Sequence, residues 1–338
     1  MREKKKSYSP IEYHEGLLKQ VKPSLAFADQ ADAPAWQRKL RAKLREILAV
    51  PGTWDHAITS RVERDLETNE FTCDRVVFRA EPKADVPGYL LKPKTGEAPF
   101  AVMICLQGHS PGMHISIGRG KTKAEIESIQ GGRDIAIQAV RNGWAALAIE
   151  QRSFGERHGA RPGCADDALH ALILGKTLTG ERVFDVMRAI DFIAAQPDLD
   201  ATRIGCMGNS AGGTVTFYAA CVDRRIRLAV VSCSFCAYAY SWMKHPHCAC
   251  GYLPGILQYA DMSDLAGLIA PRHLMVVAGE HDEIAPAASV RRAFRQVARI
   301  FRAVGCARHA SLLVGEGGHR FYPELAWPKI TQIGNGWK

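Results

Sequence analysis

No window of this 338-residue chain is long and apolar enough to span a bilayer, and no apolar stretch follows the basic residues at its start. Neither a membrane segment nor a secretory leader is expected from the chain as given, and the expected compartment is the cytoplasm. Basic runs with interleaved aromatics are also missing: 44 Lys and Arg against 35 Asp and Glu leave a net charge of +9, spread along the sequence. No nucleic-acid partner is expected. No repeat or low-complexity tract occurs, so nothing points to a solenoid or a propeller. Ten cysteines at irregular spacing make no disulfide framework in so long a chain and read as buried, reduced thiols. With 47% hydrophobic residues, the chain has ample material for a large core.

What is present divides near residue 70. Residues 1–70 are expected to form a helical extension on a catalytic domain spanning 71–338. In the extension, Pro34-Ala35-Trp36-Gln37 opens a helical pattern in which Trp36, Leu40, Leu44, Ile47 and Leu48 recur at spacings of three and four, until Pro51-Gly52 ends it. Its apolar face must dock on its own domain or on a second copy, so a homo-oligomer is one expected arrangement. Val76-Val77-Phe78 and Gly88-Tyr89-Leu90-Leu91 then read as an antiparallel pair.

Beyond them, apolar runs at Phe100–Leu106, Trp144–Ile149, Arg203–Met207, Leu228–Ser232, His273–Ala278 and Ala310–Val314 read as buried strands. Helical stretches at about 132–142, 181–196, 211–221 and 286–304 separate most of them. Alternation of this kind predicts an α/β fold with a mostly parallel sheet covered on both faces. Two segments, roughly 109–131 and 233–270, are too long for plain crossovers and are expected to line a site, the second as an insert.

Open α/β sheets bind ligands beyond the carboxyl ends of their strands. After Arg203–Met207 comes Gly208-Asn209-Ser210-Ala211-Gly212, a G-x-S-x-G between strand and helix that would lift Ser210 above the sheet as a nucleophile. Gly108-His109-Ser110-Pro111-Gly112 fits the same pattern, yet the residue after a nucleophile must give its N–H to the developing oxyanion, and Pro111 has none. Ser210, followed by Ala211, passes this test and Ser110 fails it. The Gly108-His109 loop suits the second oxyanion donor, from the His109 amide. Asp282 follows the strand at 273–278, and His319 follows the strand at 310–314, so acid and base arrive in the order Ser, Asp, His. Glu280 and Glu283 are the spare acids.

These residues resemble the α/β-hydrolase fold over roughly 75–338. Ala148-Ile149-Glu150-Gln151-Arg152-Ser153-Phe154-Gly155-Glu156-Arg157, His247-Cys248-Ala249-Cys250-Gly251-Tyr252-Leu253-Pro254-Gly255 and Asp264–Arg272 are similar to the dienelactone-hydrolase and acetylxylan-esterase-like bacterial branch. The resemblance implies a carboxylic-ester hydrolase that acts on a small-molecule ester and uses no metal or other cofactor. Dienelactone hydrolases proper use a cysteine nucleophile, where this chain has Ser210. The usual His-Gly of the first oxyanion loop is Gln107-Gly108 here.

His247 and Tyr252 are expected in the acyl or alcohol pocket, with a satisfied histidine under the loop as the other reading of His247. Arg152, Glu156 and Arg157 sit on the same rim and could contact a polar substrate or form a structural ion-pair network. Glu150 is a candidate buried loop anchor. Cys233, Cys236, His245, His247, Cys248 and Cys250 contain enough donors for zinc, but Cys-x-Cys is not its usual spacing, and the expectation is packing without a metal. A serine peptidase or amidase with the same triad is the second functional reading, and a non-catalytic binding protein the third.

Overall fold

The computed structural model describes residues 8–28, 32–51, 56–159, 161 and 163–337. Nine strands form one sheet: β1 Ser60–Glu67, β2 Phe71–Glu81, β3 Ala84–Pro93, β4 Phe100–Leu106, β5 Ala145–Ile149, β6 Leu199–Asn209, β7 Ile226–Ser232, β8 His273–Gly279 and β9 Ala310–Gly315. Their order is β1-β2-β3-β5-β4-β6-β7-β8-β9. The first three strands are antiparallel, β3 joins β5 antiparallel, and every later pairing is parallel. The helices are α1 Pro10–Leu18, α2 Ala33–Leu48, α3 Lys123–Ser128, α4 Ile135–Arg141, α5 Ala165–Ile173, α6 Leu178–Ala194, α7 Ala211–Val222, α8 Met262–Leu265, α9 Ala287–Ala303 and α10 Pro323–Asn335.

Period-two alternation along each strand sends side chains to two separate cores. From β4, Val102, Ile104 and Leu106 enter the larger core, with apolar residues of α2, α6, α7 and α9. Met103 and Cys105 face the opposite core, built with α4 and α10. Helices therefore cover both faces, as the continuous apolar runs predict. Every residue of α7 is buried, so this helix lies inside the molecule and gives Ser210, just before it, a rigid base.

One expectation about the extension needs correction. It is not purely helical, because β1 lies within it as the edge strand, all eight residues exposed. Alternating Arg, Glu and Asp leave Val62 and Leu66 as its only apolar residues, and charge of this kind protects a sheet edge from further pairing. Of the two docking partners expected for it, α2 takes its own chain: Trp36, Leu40, Leu44 and Leu48 are buried, and Trp36 Nε1 donates to Leu25 O at 2.9 Å. Arg41 ties the helix to Cys221 O and Leu268 O at 3.0 and 2.8 Å. The face from which a homo-oligomer was expected is thus buried within the chain. The helix ends at Leu48 with Ala49 left-handed at φ 53°, ahead of the expected stop, of which Gly52 lies outside the described residues.

Candidate active site

Ser210 sits between β6 and α7 with φ 57° and ψ −123°, a strained conformation for a residue with a Cβ. The turn is sterically possible only with small flanks. A Cβ on Gly208 would lie 2.3 Å from the carbonyl carbon of Gly212, and one on Gly212 would lie 2.1 Å from Leu106 O. The Ser210 amide donates to Ser232 O at 2.9 Å, which fixes the turn to β7. Among the described residues, the Ala211 amide has no hydrogen-bond acceptor, as expected for the first residue of a helix, and neither has the His109 amide. The Gly108-His109 loop packs on the turn, since a Cβ on Gly108 would stand 3.2 Å from Ser210 Cβ.

Asp282 and His319 come from neighbouring loops after β8 and β9. The loops are stitched together by Glu280 N to Gly315 O at 2.8 Å and His281 N to Gly317 O at 3.0 Å. His319 Nδ1 lies 2.9 Å from Asp282 Oδ2, while Asp282 Oδ1 accepts the amides of Ile284 at 2.9 Å and Ala285 at 3.1 Å. Burial opposes the Asp282 charge, but the His319 hydrogen bond and these amides outweigh it and hold the carboxyl below its ordinary value. Asp282 therefore stays ionised and ready to orient an imidazole. Arg133 donates to His319 O at 3.2 Å and approaches Gly108, linking the base loop to the loop beside Ser210.

No hydrogen bond joins Ser210 Oγ to His319 in this structure. In serine hydrolases this contact commonly tightens only in the substrate complex. Cys233 connects the two halves: it lines the same cavity as Ser210, and its Sγ lies within 4.8 Å of the ligating atoms of Asp282 and His319. The spare acids are elsewhere, Glu280 paired on the surface with Arg291 and Glu283 exposed. Ser110, the second motif serine, donates only to Gly112 O at 3.4 Å.

A cavity of about 180 Å³ opens beside Ser210, lined among others by His109, Ala211, Val215, Trp242, His247 and Ile284. His247 is there as expected, stacked on Trp242 at 4.2 Å with Nε2 3.0 Å from Ser241 Oγ. Burial lowers its pKa. Tyr252 is not in this cavity; it packs edge-on to Trp242 and lines a separate apolar hollow with Val21 and Leu253. Arg152 does not line it either. Its guanidinium is taken by Asp185 at 2.9 Å and Glu81 at 2.6 Å, so Arg152 and Arg157 form the ion-pair network that was one of their two readings.

A charged cavity residue absent from the expectations is Arg182, buried in α6, which donates to Arg152 O at 2.7 and 3.0 Å. Its charge does not single it out in the sequence, since α6 also carries Glu181, Asp185, Arg188 and Asp191. The cysteines divide. Cys236 donates to Ser289 Oγ at 2.8 Å and packs as expected. Cys248 and Cys250 instead meet Cys164 and His109. Hydrogen bonds donated by the protonated ring to the sulfurs of Cys164 and Cys248 push the His109 imidazole up to about 9.

Glu150 is the loop anchor. Almost fully buried, it accepts Gln107 Nε2 at 2.6 Å and Met113 N at 3.0 Å, and so holds both ends of the Gly108-His109 loop. Burial pushes its carboxyl up to about 7 from an ordinary 4.5. Between those values the folded chain binds more protons than the unfolded one. The stabilising contribution is therefore complete below pH 4.5 and is lost as pH rises through 7. Glu150→Gln should remove this loss and be more stable than the parent above pH 7, by at most about 3 kcal/mol, with the advantage gone near pH 4. Urea melts across that range check it.

A model of the Abhydrolase family matches residues 2–231. The chain belongs to that family. A model of the prolyl oligopeptidase family matches residues 173–322 of this Abhydrolase protein, the part with Ser210, Asp282 and His319. Over 269 residues it is 26% identical to the candidate hydrolase YtaP of Bacillus subtilis (strain 168), covering 77% of this chain and 86% of YtaP. A candidate acetyl xylan esterase from Bacteroides fragilis NCTC 9343 superposes with a TM-score of 0.79 at 16% identity, over 98% of this chain and 97% of the other. A glucuronoyl esterase from Solibacter usitatus gives 0.70 at 14% identity, over 94% and 99%. These likenesses establish the α/β-hydrolase fold.

Proposed function

We propose that this Abhydrolase protein is a serine carboxylic-ester hydrolase that works through an acyl-enzyme on small, short-acyl esters, in the cytoplasm. The observation that carries the reading is the strained Ser210 turn, with its unpaired Ala211 amide, linked through Cys233 of the same cavity to the Asp282-bound imidazole of His319. His319 takes the Ser210 proton as Oγ attacks the ester carbonyl. Asp282 orients and stabilises the imidazolium, and the Ala211 and His109 amides receive the oxyanion. The protonated alcohol leaves, and water activated by the same imidazole releases the acid.

A cavity of about 180 Å³ supports a short acyl group, being smaller than the roughly 300 Å³ at which drug-sized sites begin. Acetyl xylan and glucuronoyl esterases among the structural neighbours agree with an ester substrate. The free state of all ten cysteines agrees with a reducing compartment. The match to the prolyl oligopeptidase family keeps amide cleavage as the second reading.

A p-nitrophenyl ester series tests the proposal. Specificity kcat/KM is expected to be highest for acetate to butyrate and to fall by at least about tenfold at octanoate, each methylene that no longer fits forfeiting about 0.8 kcal/mol of burial. Peptide anilides cleaved faster than acetate esters would replace esterase by peptidase, and acetylated sugars assayed alongside would identify the alcohol.

A further inference from the structure

Three distant parts of the chain meet at one side of the Ser210 cavity. His109 follows β4, Cys164 precedes α5, and Cys248 and Cys250 belong to the segment between β7 and β8. Their ligating atoms all lie within 4.8 Å of one another. His109 Nε2 is 3.4 Å from Cys164 Sγ and 3.4 Å from Cys250 Sγ, and Cys164 Sγ is 3.0 Å from Cys248 Sγ. We propose that these four side chains form a tetrahedral Cys3His site for one Zn²⁺ that clamps the 233–270 segment to the rim of the active site.

Zn–S bonds of about 2.3 Å and a Zn–N bond of about 2.0–2.1 Å place neighbouring ligand atoms of a tetrahedron roughly 3.5–3.8 Å apart. The separations of 3.0, 3.4 and 3.4 Å fall a little short of that range and no other exceeds 4.8 Å, so adjustments of about 1 Å or less set all four atoms around one centre. Three sulfurs and an imidazole are soft donors that suit zinc and not magnesium or calcium. All four positions are filled by protein, which makes the site structural and leaves no place for a zinc-bound hydroxide. On binding, each thiol and the protonated His109 imidazole release a proton to solvent, and Zn²⁺ with three thiolates and a neutral imidazole carries one negative charge. Arg182, buried on the same cavity wall, supplies the opposite charge.

The surroundings hold the donors in place. Phe154 meets the His109 ring edge-on at 5.3 Å, and the Arg182 guanidinium covers Phe154 at 4.4 Å. Thr179 Oγ donates to Cys250 O at 2.6 Å. Regular structure between β7 and β8 is limited to short turns and the four-residue α8. A segment so poor in its own hydrogen-bonded framework gains most from a metal cross-link. The spacing rules applied to a sequence miss this site because two of the four ligands stand more than 80 residues from the Cys-x-Cys pair.

Full-length protein expressed with added zinc, and purified in reductant without metal-affinity steps or chelators, should hold one zinc per chain by elemental analysis. Replacement by Co²⁺ should give the intense red-region bands of a tetrahedral thiolate site. Cys250→Ser and Cys164→Ser should lose the bound metal and melt several degrees lower, whereas Cys306→Ser, outside the cluster, should keep both. If the serine variants do not fold, titrating the parent with a mercurial thiol reagent decides, since zinc should be released in step with thiol modification. Metal-free parent with ten titratable thiols, a Cys164–Cys248 disulfide, or zinc retained in the Cys164→Ser/Cys250→Ser double variant would overturn the proposal. None of these readouts depends on ester hydrolysis, so failure here leaves the esterase reading standing.

Discussion

Ser210→Ala should lower kcat/KM for a p-nitrophenyl acetate substrate by roughly 10⁴- to 10⁶-fold, the loss seen when a triad nucleophile is removed and only the oxyanion donors and binding remain. Stability should stay within about 0.5 kcal/mol of the parent. Both halves follow from the geometry. The strain at φ 57° belongs to the backbone and is the same for alanine as for serine, and Ser210 Oγ makes no hydrogen bond whose loss would be felt. Ser110→Ala is the internal control: it alters the other G-x-S-x-G and should leave the rate unchanged, because Pro111 denies that serine an oxyanion amide. A fluorophosphonate should label the parent at Ser210 and leave the variant unlabelled. Full activity in Ser210→Ala, with matching melts, would remove the acyl-enzyme mechanism whatever the fold.

The side chains proposed to react were legible in the sequence because each follows an apolar run long enough to be a buried strand, and strand ends are where an α/β sheet exposes its chemistry. The same logic failed for the pocket wall. Arg152 also follows a strand, but its direction is set by Asp185, 33 residues away on α6, and an ion pair of that kind leaves no periodic trace. Tyr252 lines a separate hollow, packed edge-on to the same Trp242 ring that stacks on His247. β1 was invisible for a different reason: an edge strand that buries nothing has no hydrophobic pattern to show. The His109, Cys164, Cys248 and Cys250 cluster depends wholly on how three loops close over the sheet, so only coordinates bring it together.

Asp185→Asn should destabilise the fold by about 3–5 kcal/mol, the usual cost of removing one partner from a buried ion pair. Asp185 is 1% exposed on α6 and stands between two guanidinium groups, Arg152 at 2.9 Å and Arg157 at 2.6 Å. Burial opposes its charge, and the two arginines outweigh burial, so its carboxyl titrates below the ordinary value. With a depressed folded pKa, the stabilisation is present above the unfolded value of 3.8 and disappears as pH falls through the folded one. The gap between parent and variant should therefore be widest at neutral pH and narrow in acid, which denaturant melts at pH 7 and pH 3 would show. Asparagine keeps the volume and one acceptor but leaves Arg157 with Glu150 O alone at 3.0 Å, while Arg152 retains Glu81 and Glu181. Because Arg152 lies outside the Ser210 cavity, KM for small esters should change little below the melting transition. A variant that melts like the parent but shows a raised KM would mean that Arg152 answers to substrate after all, and that the network is a binding surface instead of a brace.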